Sequence, residues 1–244
     1  MTTTNFTINS IPAVLYGENA DKVCLYIHGK CGYKEEAQSL AEILCPRGFQ
    51  VLSIDLPEHG ERKNGEAKLV PWVAVPELQG VLAYAKQRWH SISLHATSIG
   101  AYFSLLAFSE EAFEKVMFVS PVVDMKKLIE TMMQWAQVSA ERLQAEKEIP
   151  TQFGETLSWE YYTYAKEHSL THWNSKTAIL YAGHDNLTDR DTITEFAEQF
   201  GCELQIYEDG EHWFHTEEQL AVWRNWIEHS QKACATENKN PARS

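Results

Sequence analysis

No stretch of this 244-residue sequence stays apolar for long enough to span a bilayer. Residues 1–5 also lack the basic start and apolar run of a secretory leader. Positive charge is scarce: 21 Lys and Arg stand against 34 Asp and Glu, a formal net charge of −13. A nucleic-acid binder needs a concentrated basic surface to displace counterions, so neither nucleic acid nor an anionic membrane face is expected as a partner. The five cysteines (Cys24, Cys31, Cys45, Cys202 and Cys234) are odd in number and scattered, without the paired spacing of a metal site. Free thiols in a reducing, cytoplasmic setting are the expectation, with no metal and no cofactor. The composition also speaks against a chain disordered as a whole, because 44% of residues are apolar and 23% charged, an ordinary globular balance.

What is present is alternation. Short apolar runs at residues 22–28, 51–55, 91–97, 115–120, 177–182 and 203–207 are separated by longer helical patterns at 33–45, 72–88, 99–108, 189–200 and 217–229. That rhythm marks an α/β chain with a mostly parallel sheet flanked by helices. Residues 6–15 read as an N-terminal strand or hairpin broken at Pro12. Only residues 124–173 break the rhythm. They show three helical patterns (125–138, 139–147 and 157–168) and no convincing strand, and they are too many for a simple crossover. The expected organisation is a core over 1–123 and 174–231, a helical cap insertion over 124–173, and a polar, disordered tail over 232–244.

The segment SISLHATSIGAYFSLLAF (residues 91–108) runs a strand directly into a helix with Ser98 at the corner. A turn that lifts a serine hydroxyl above a sheet is sharp and strained, and it requires small residues two before and two after. Those positions hold Ala96 and Gly100. An ordinary helix-capping serine would need no such neighbours. An acyl-transfer site also needs two backbone N–H groups about 3 Å from the developing oxyanion. Ile99 supplies one, directly after the candidate nucleophile. Lys30 is the candidate for the other, in the loop His28-Gly29-Lys30-Cys31-Gly32 that follows an early strand. His28 is expected to fix that loop rather than to carry protons.

A carboxylate and an imidazole complete the set. Asp185 follows the strand at 177–182 most closely; Asp189 stands where a helix would begin, and Asp124 follows another strand, so both remain rivals. His212 lies in the loop after the strand at 203–207, where an imidazole can reach Ser98. His215 is nearer the helix start, with packing or capping as its plain role.

The order Ser98, Asp185, His212, each at a strand end, resembles the α/β-hydrolase superfamily. DLPEHGER (residues 55–62) looks like that superfamily's Asp-x-Pro-Gly-His-Gly-x-Ser stretch, with Glu58 in place of the first glycine and Arg62 in place of the serine. YAGHDNLT resembles its acid loop and GEHWFHT its histidine loop; Ala96 replaces the first glycine of the usual elbow. The helical insertion is similar to lids of the carboxylesterase and serine-aminopeptidase-like branches. The resemblance implies the α/β-hydrolase fold and a carboxylesterase-like serine hydrolase. Its partner would be a small-molecule ester, and the cap's Met132, Met133, Trp135, Phe153, Trp159, Tyr161, Tyr162 and Tyr164 favour an apolar or aromatic acyl group. A peptidase or thioesterase would use the same triad, and a ligand-binding protein could keep the same fold.

Overall fold

The computed structural model describes residues 1–237. Strands β1 (Thr3–Ile8) and β2 (Ile11–Tyr16) form an antiparallel hairpin at one sheet edge. Its turn falls at Asn9-Ser10, with φ of 49° and 72°, the two positive values that match a tight hairpin to the twist of its strands. The chain therefore turns ahead of Pro12, which lies within β2 opposite Thr7. Proline is tolerated there because it lacks only the donor, while its carbonyl still accepts the Asp55 amide at 3.0 Å.

β3 (Lys22–Ile27), β4 (Phe49–Ile54), β5 (Ser91–Thr97) and β6 (Val116–Val119) follow, interleaved with helices α1 (Gln38–Leu44), α2 (Pro71–Lys86) and α3 (Ile99–Ala107). Next come α4 (Met125–Ala136) and α5 (Ala140–Glu146), close to the helical patterns in the sequence. A two-stranded hairpin, β7 (Glu148–Pro150) with β8 (Thr156–Ser158), then precedes α6 (Trp159–Glu167). That hairpin corrects the reading of this segment as free of strands. Each strand is three residues long, too short for alternation to register. The chain closes with β9 (Thr177–Ala182), α7 (Arg190–Phe200), β10 (Glu203–Tyr207) and α8 (Glu217–Glu237). α8 continues past 229 because Lys232, Ala233, Ala235 and Glu237 are good helix formers and no proline intervenes before Pro241. The helix thus includes residues 232–237, which the sequence pattern had given to a disordered tail; the rest of that tail lies outside the described residues.

The sheet has eight strands in the order β1-β2-β4-β3-β5-β6-β9-β10, parallel from β4 through β10. Alternation along β3 shows how both faces are covered. Val23, Leu25 and Ile27 pack into a core with α2, α3 and α7, whereas Cys24 and Tyr26 pack with α1 and α8. With both faces filled, the open place for chemistry is the rim where the parallel strands end.

Candidate active site

Four strand ends meet at that rim. β5 delivers Ser98 as the residue before α3, with φ 53° and ψ −122°, a conformation that costs on the order of 1–3 kcal/mol for a residue with a side chain. The neighbouring chain holds it there. The Ser98 amide donates to the Val119 carbonyl (3.1 Å), and the Ser98 carbonyl accepts from the amides of Ala101 (3.1 Å) and Val122 (3.2 Å). The small flanking residues have steric reasons. A methyl group on Gly100 would lie 2.3 Å from the His28 carbonyl oxygen, and Ala96 is wholly buried opposite Ile27 of β3.

His212 comes from the loop after β10. Its Nε2 lies 2.8 Å from Ser98 Oγ and its Nδ1 lies 2.7 Å from Asp185 Oδ2. Asp185, from the loop after β9, is fully buried in its side chain. Its other oxygen accepts from the amides of Leu187 (2.8 Å) and Thr188 (3.1 Å), so neither oxygen is left unanswered. The loops carrying acid and imidazole are stitched together by Gly183 N to Tyr207 O (2.8 Å) and His184 N to Gly210 O (2.9 Å). The two rival carboxylates cap helices. Asp124 accepts from the Lys127 amide at the start of α4. Asp189 accepts from the Thr192 amide at the start of α7 and pairs with Lys127 at 2.8 Å. Burial works to raise the Asp189 pKa, but Lys127 and Thr192 outweigh it and bring it to about 2. His215 turns away, its Nδ1 held by the Trp213 carbonyl at 2.7 Å.

Both residues singled out for their amides stand close to Ser98, Ile99 as the next residue and Lys30 one residue beyond Gly29. Ile99 opens α3, so its N–H is among the first-turn donors that have no acceptor within the helix. Lys30 follows Gly29, and a methyl group on Gly29 would lie 3.3 Å from Ser98 Cβ, a tight contact that shows how near the loop passes. The next amide, that of Cys31, is already committed: it donates to His59 Nε2 at 2.8 Å.

What sequence reasoning missed in this loop is the part played by His59 and by a buried ion pair beneath it. His28, expected to fix the loop, accepts the Leu56 amide at Nε2 (3.0 Å) and donates from Nδ1 to the Gly29 carbonyl (2.7 Å). Burial lowers its pKa to about 4, partly opposed by that bond to Gly29, so it stays neutral and keeps an acceptor nitrogen at neutral pH. His59, which the sequence singled out only as part of DLPEHGER, works the same way from the other loop, with Nδ1 donating to the Pro57 carbonyl. Beneath both lies a buried ion pair. Lys34 Nζ is 3.2 Å from Asp55 Oδ2, and the Lys34 and Glu61 amides donate to the same carboxylate. Burial works against the Lys34 ammonium, but Glu35, Glu61 and Asp55 outweigh it and raise its pKa above the usual lysine range. The signal was present in the DLPEHGER segment, whose first residue is this aspartate; nothing local says that its partner is Lys34.

With this geometry in view, the family model that matches the chain is that of serine aminopeptidase, S33, over residues 18–175. The chain belongs to this family. The S33 match includes Ser98 and the Gly29–Lys30 loop and stops before Asp185 and His212, which rest on the hydrogen bonds above. No protein of curated function matches in sequence. Among solved structures, the S33 chain resembles Est1E from Butyrivibrio proteoclasticus with ferulic acid bound, at 16% identity and a TM-score of 0.77 over 96% of this chain and 99% of that one. It also resembles a putative hydrolase from Agrobacterium vitis S4 (14% identity, TM-score 0.74, 94% and 98% covered) and the Pyrococcus furiosus esterase Pf2001 (16% identity, TM-score 0.70, 95% and 90% covered). At such identities these likenesses establish the fold, and the S33 chain is an α/β hydrolase. Among its described residues, no helix is long and apolar enough to cross a membrane.

Proposed function

We propose that this α/β hydrolase cleaves carboxylic esters through an acyl-enzyme on Ser98. The observation that carries the reading is the unbroken line from Asp185 through His212 to Ser98, with the serine on a strained turn. His212 Nε2 takes the hydroxyl proton as Ser98 Oγ attacks the acyl carbonyl, and Asp185 holds the imidazole in that tautomer and stabilises the imidazolium. The Lys30 and Ile99 amides receive the oxyanion. His212 then protonates the departing oxygen, and water repeats the sequence to release the acid.

A small to medium substrate with an apolar or aromatic acyl part fits the insertion over residues 124–173, which we read as a cap. Its ties to the core support that reading. Trp72 of α2 meets Tyr161 and Tyr164 of α6 at 6.1 and 5.6 Å between ring centroids, and Lys30 pairs with Glu155 of the β7–β8 turn. Buried Tyr102 and Tyr161 hydroxyls have no hydrogen-bond partner among the described residues, and a polar substituent on an aromatic acyl group would answer one. The substrate is a small molecule, and the four described cysteines, all free, suit the cytoplasm. A peptidase reading has the S33 match in its favour. An active-site fluorophosphonate should label Ser98 alone, and p-nitrophenyl esters should turn over faster than aminoacyl arylamides. Absence of labelling would leave a ligand-binding protein; the reverse substrate preference would make the chain a peptidase.

A further inference from the structure

A cleft of about 480 Å³ opens beside His212, on the sheet face covered by α1 and α8. The mechanism above gives it no role, yet His212 and Thr97, the neighbour of Ser98, are among its walls. Its rings are Tyr26, Tyr33, Trp213, Phe214 and Trp223, with Trp213 72% exposed. Three carboxylates, Glu35, Glu36 and Glu42, line it as well, and neither lysine nor arginine does among the described residues. Two of the carboxylates already have cations: Glu35 lies 2.8 Å from Lys34, and Glu42 lies 3.8 Å from Arg224. Glu36 has no ion-pair partner among the described residues and stands beside Tyr26, whose hydroxyl partly offsets the upward push of burial on its pKa. On the floor, His95 stacks on Tyr26 at 5.1 Å and accepts from Trp223 at Nε2. It is 1% exposed, and its Nδ1 has no hydrogen-bond partner among the described residues. Burial keeps this ring neutral, so it adds no positive charge. His215 is tied to Trp213 and lies 3.5 Å from Glu211.

The walls thus combine aromatic faces with a carboxylate, Glu36, that no cation neutralises among the described residues. Ring faces and carboxylates both present negative potential, which excludes an anionic guest and selects a cation. Position assigns the guest to one half of the substrate. The departing oxygen must lie where His212 can protonate it, so the group attached to that oxygen extends on the His212 side, into this cleft.

We infer that the cleft is a leaving-group subsite for alcohols bearing a protonated or quaternary amine, an inference that rests on Ser98 and His212 acting as proposed above. In the step concerned, the acyl C–O bond breaks and the amino alcohol leaves with the proton from His212 Nε2, while the acyl group stays on Ser98 Oγ.

The test compares two butanoate esters of matched shape, the 2-(trimethylammonio)ethyl ester and the neutral 3,3-dimethylbutyl ester. Expected is a kcat/KM about tenfold higher for the cationic ester, shrinking as salt is raised. Glu36→Gln should remove most of that preference while leaving the neutral ester within about twofold, and Tyr33→Ala should act in the same direction. Moving the cation to the acyl half, in an aminoacyl ester of a neutral alcohol, should gain nothing. Equal turnover of the two butanoates, or a preference that survives Glu36→Gln, would overturn the subsite while leaving the esterase reading intact. Failure to cleave either ester, together with absence of fluorophosphonate labelling, would overturn both.

Discussion

Ser98 is 7% exposed and takes up a backbone conformation that only its neighbours make tenable. Ser98→Ala keeps the same backbone demands and removes the attacking oxygen. Ester turnover should therefore fall by about 10⁴-fold or more with an unchanged circular dichroism spectrum. The acid assignment allows a sharper comparison. Asp185→Asn keeps the volume but replaces the carboxylate oxygen that fixes the His212 tautomer, and kcat should drop on the order of 10³- to 10⁴-fold. Asp124→Asn leaves a side chain that still caps α4, since asparagine is as good an N-cap as aspartate, and activity should stay within about threefold. A larger loss at 124 than at 185 would reverse the assignment of the acid.

The loop that carries Lys30 is held from below, and its anchor is electrostatic. Lys34 and Asp55 have side-chain exposures of 2% and 0%, so Lys34→Met would leave a buried carboxylate with amide donors only. Breaking one side of a buried pair costs about 3–5 kcal/mol, and urea unfolding should show a loss of that order; a change below about 1 kcal/mol would mean that the two amides alone suffice. Gly100→Ala tests the crossing of α3 over the end of β3. The added methyl would lie 2.3 Å from the His28 carbonyl oxygen, and relief requires moving the loop that bears the Lys30 amide. Stability should fall by about 1–3 kcal/mol, with turnover falling further than stability explains. These elements also show what could be read beforehand. Core strands and elbow were legible because burial on both faces writes continuous apolar runs, and because the corner at Ser98 admits only small residues at 96 and 100. The Lys34–Asp55 pair and the partnership of His59 with the Cys31 amide were not, since each joins loops 21 or 28 residues apart through residue types that are ordinarily solvent-facing. The β7–β8 hairpin escaped for want of length, and the end of α8 because its polar, helix-forming residues look the same in a coil.

Two buried imidazoles make the stability of the whole chain depend on pH. Burial lowers the pKa of His28 to about 4 and that of His95 to about 3, and in both the native ring is neutral. In the unfolded chain each would titrate near 6.5. Below that value the unfolded state binds protons that the native state does not, so stability falls as pH falls, and it is fully present only above about 6.5. Each group removes on the order of 1.4 kcal/mol per pH unit between about 6.5 and its native pKa. Carboxylates such as Asp189, lowered to about 2, lose their contribution of the same sign only below the ordinary aspartate range. The interval from pH 6.5 to 5 therefore lies above these lowered carboxylates, and Glu36, which burial raises, acts there with the opposite sign to the histidines. Urea midpoints across it should decline steeply, and His95→Gln, which deletes one of the two groups, should roughly halve the slope while shifting the curve as a whole. A flat profile across that interval would mean that one or both rings accept a proton in the native chain. For His28 that would break its bond from the Leu56 amide, and acid would then act on the Lys30 loop before it unfolded the protein.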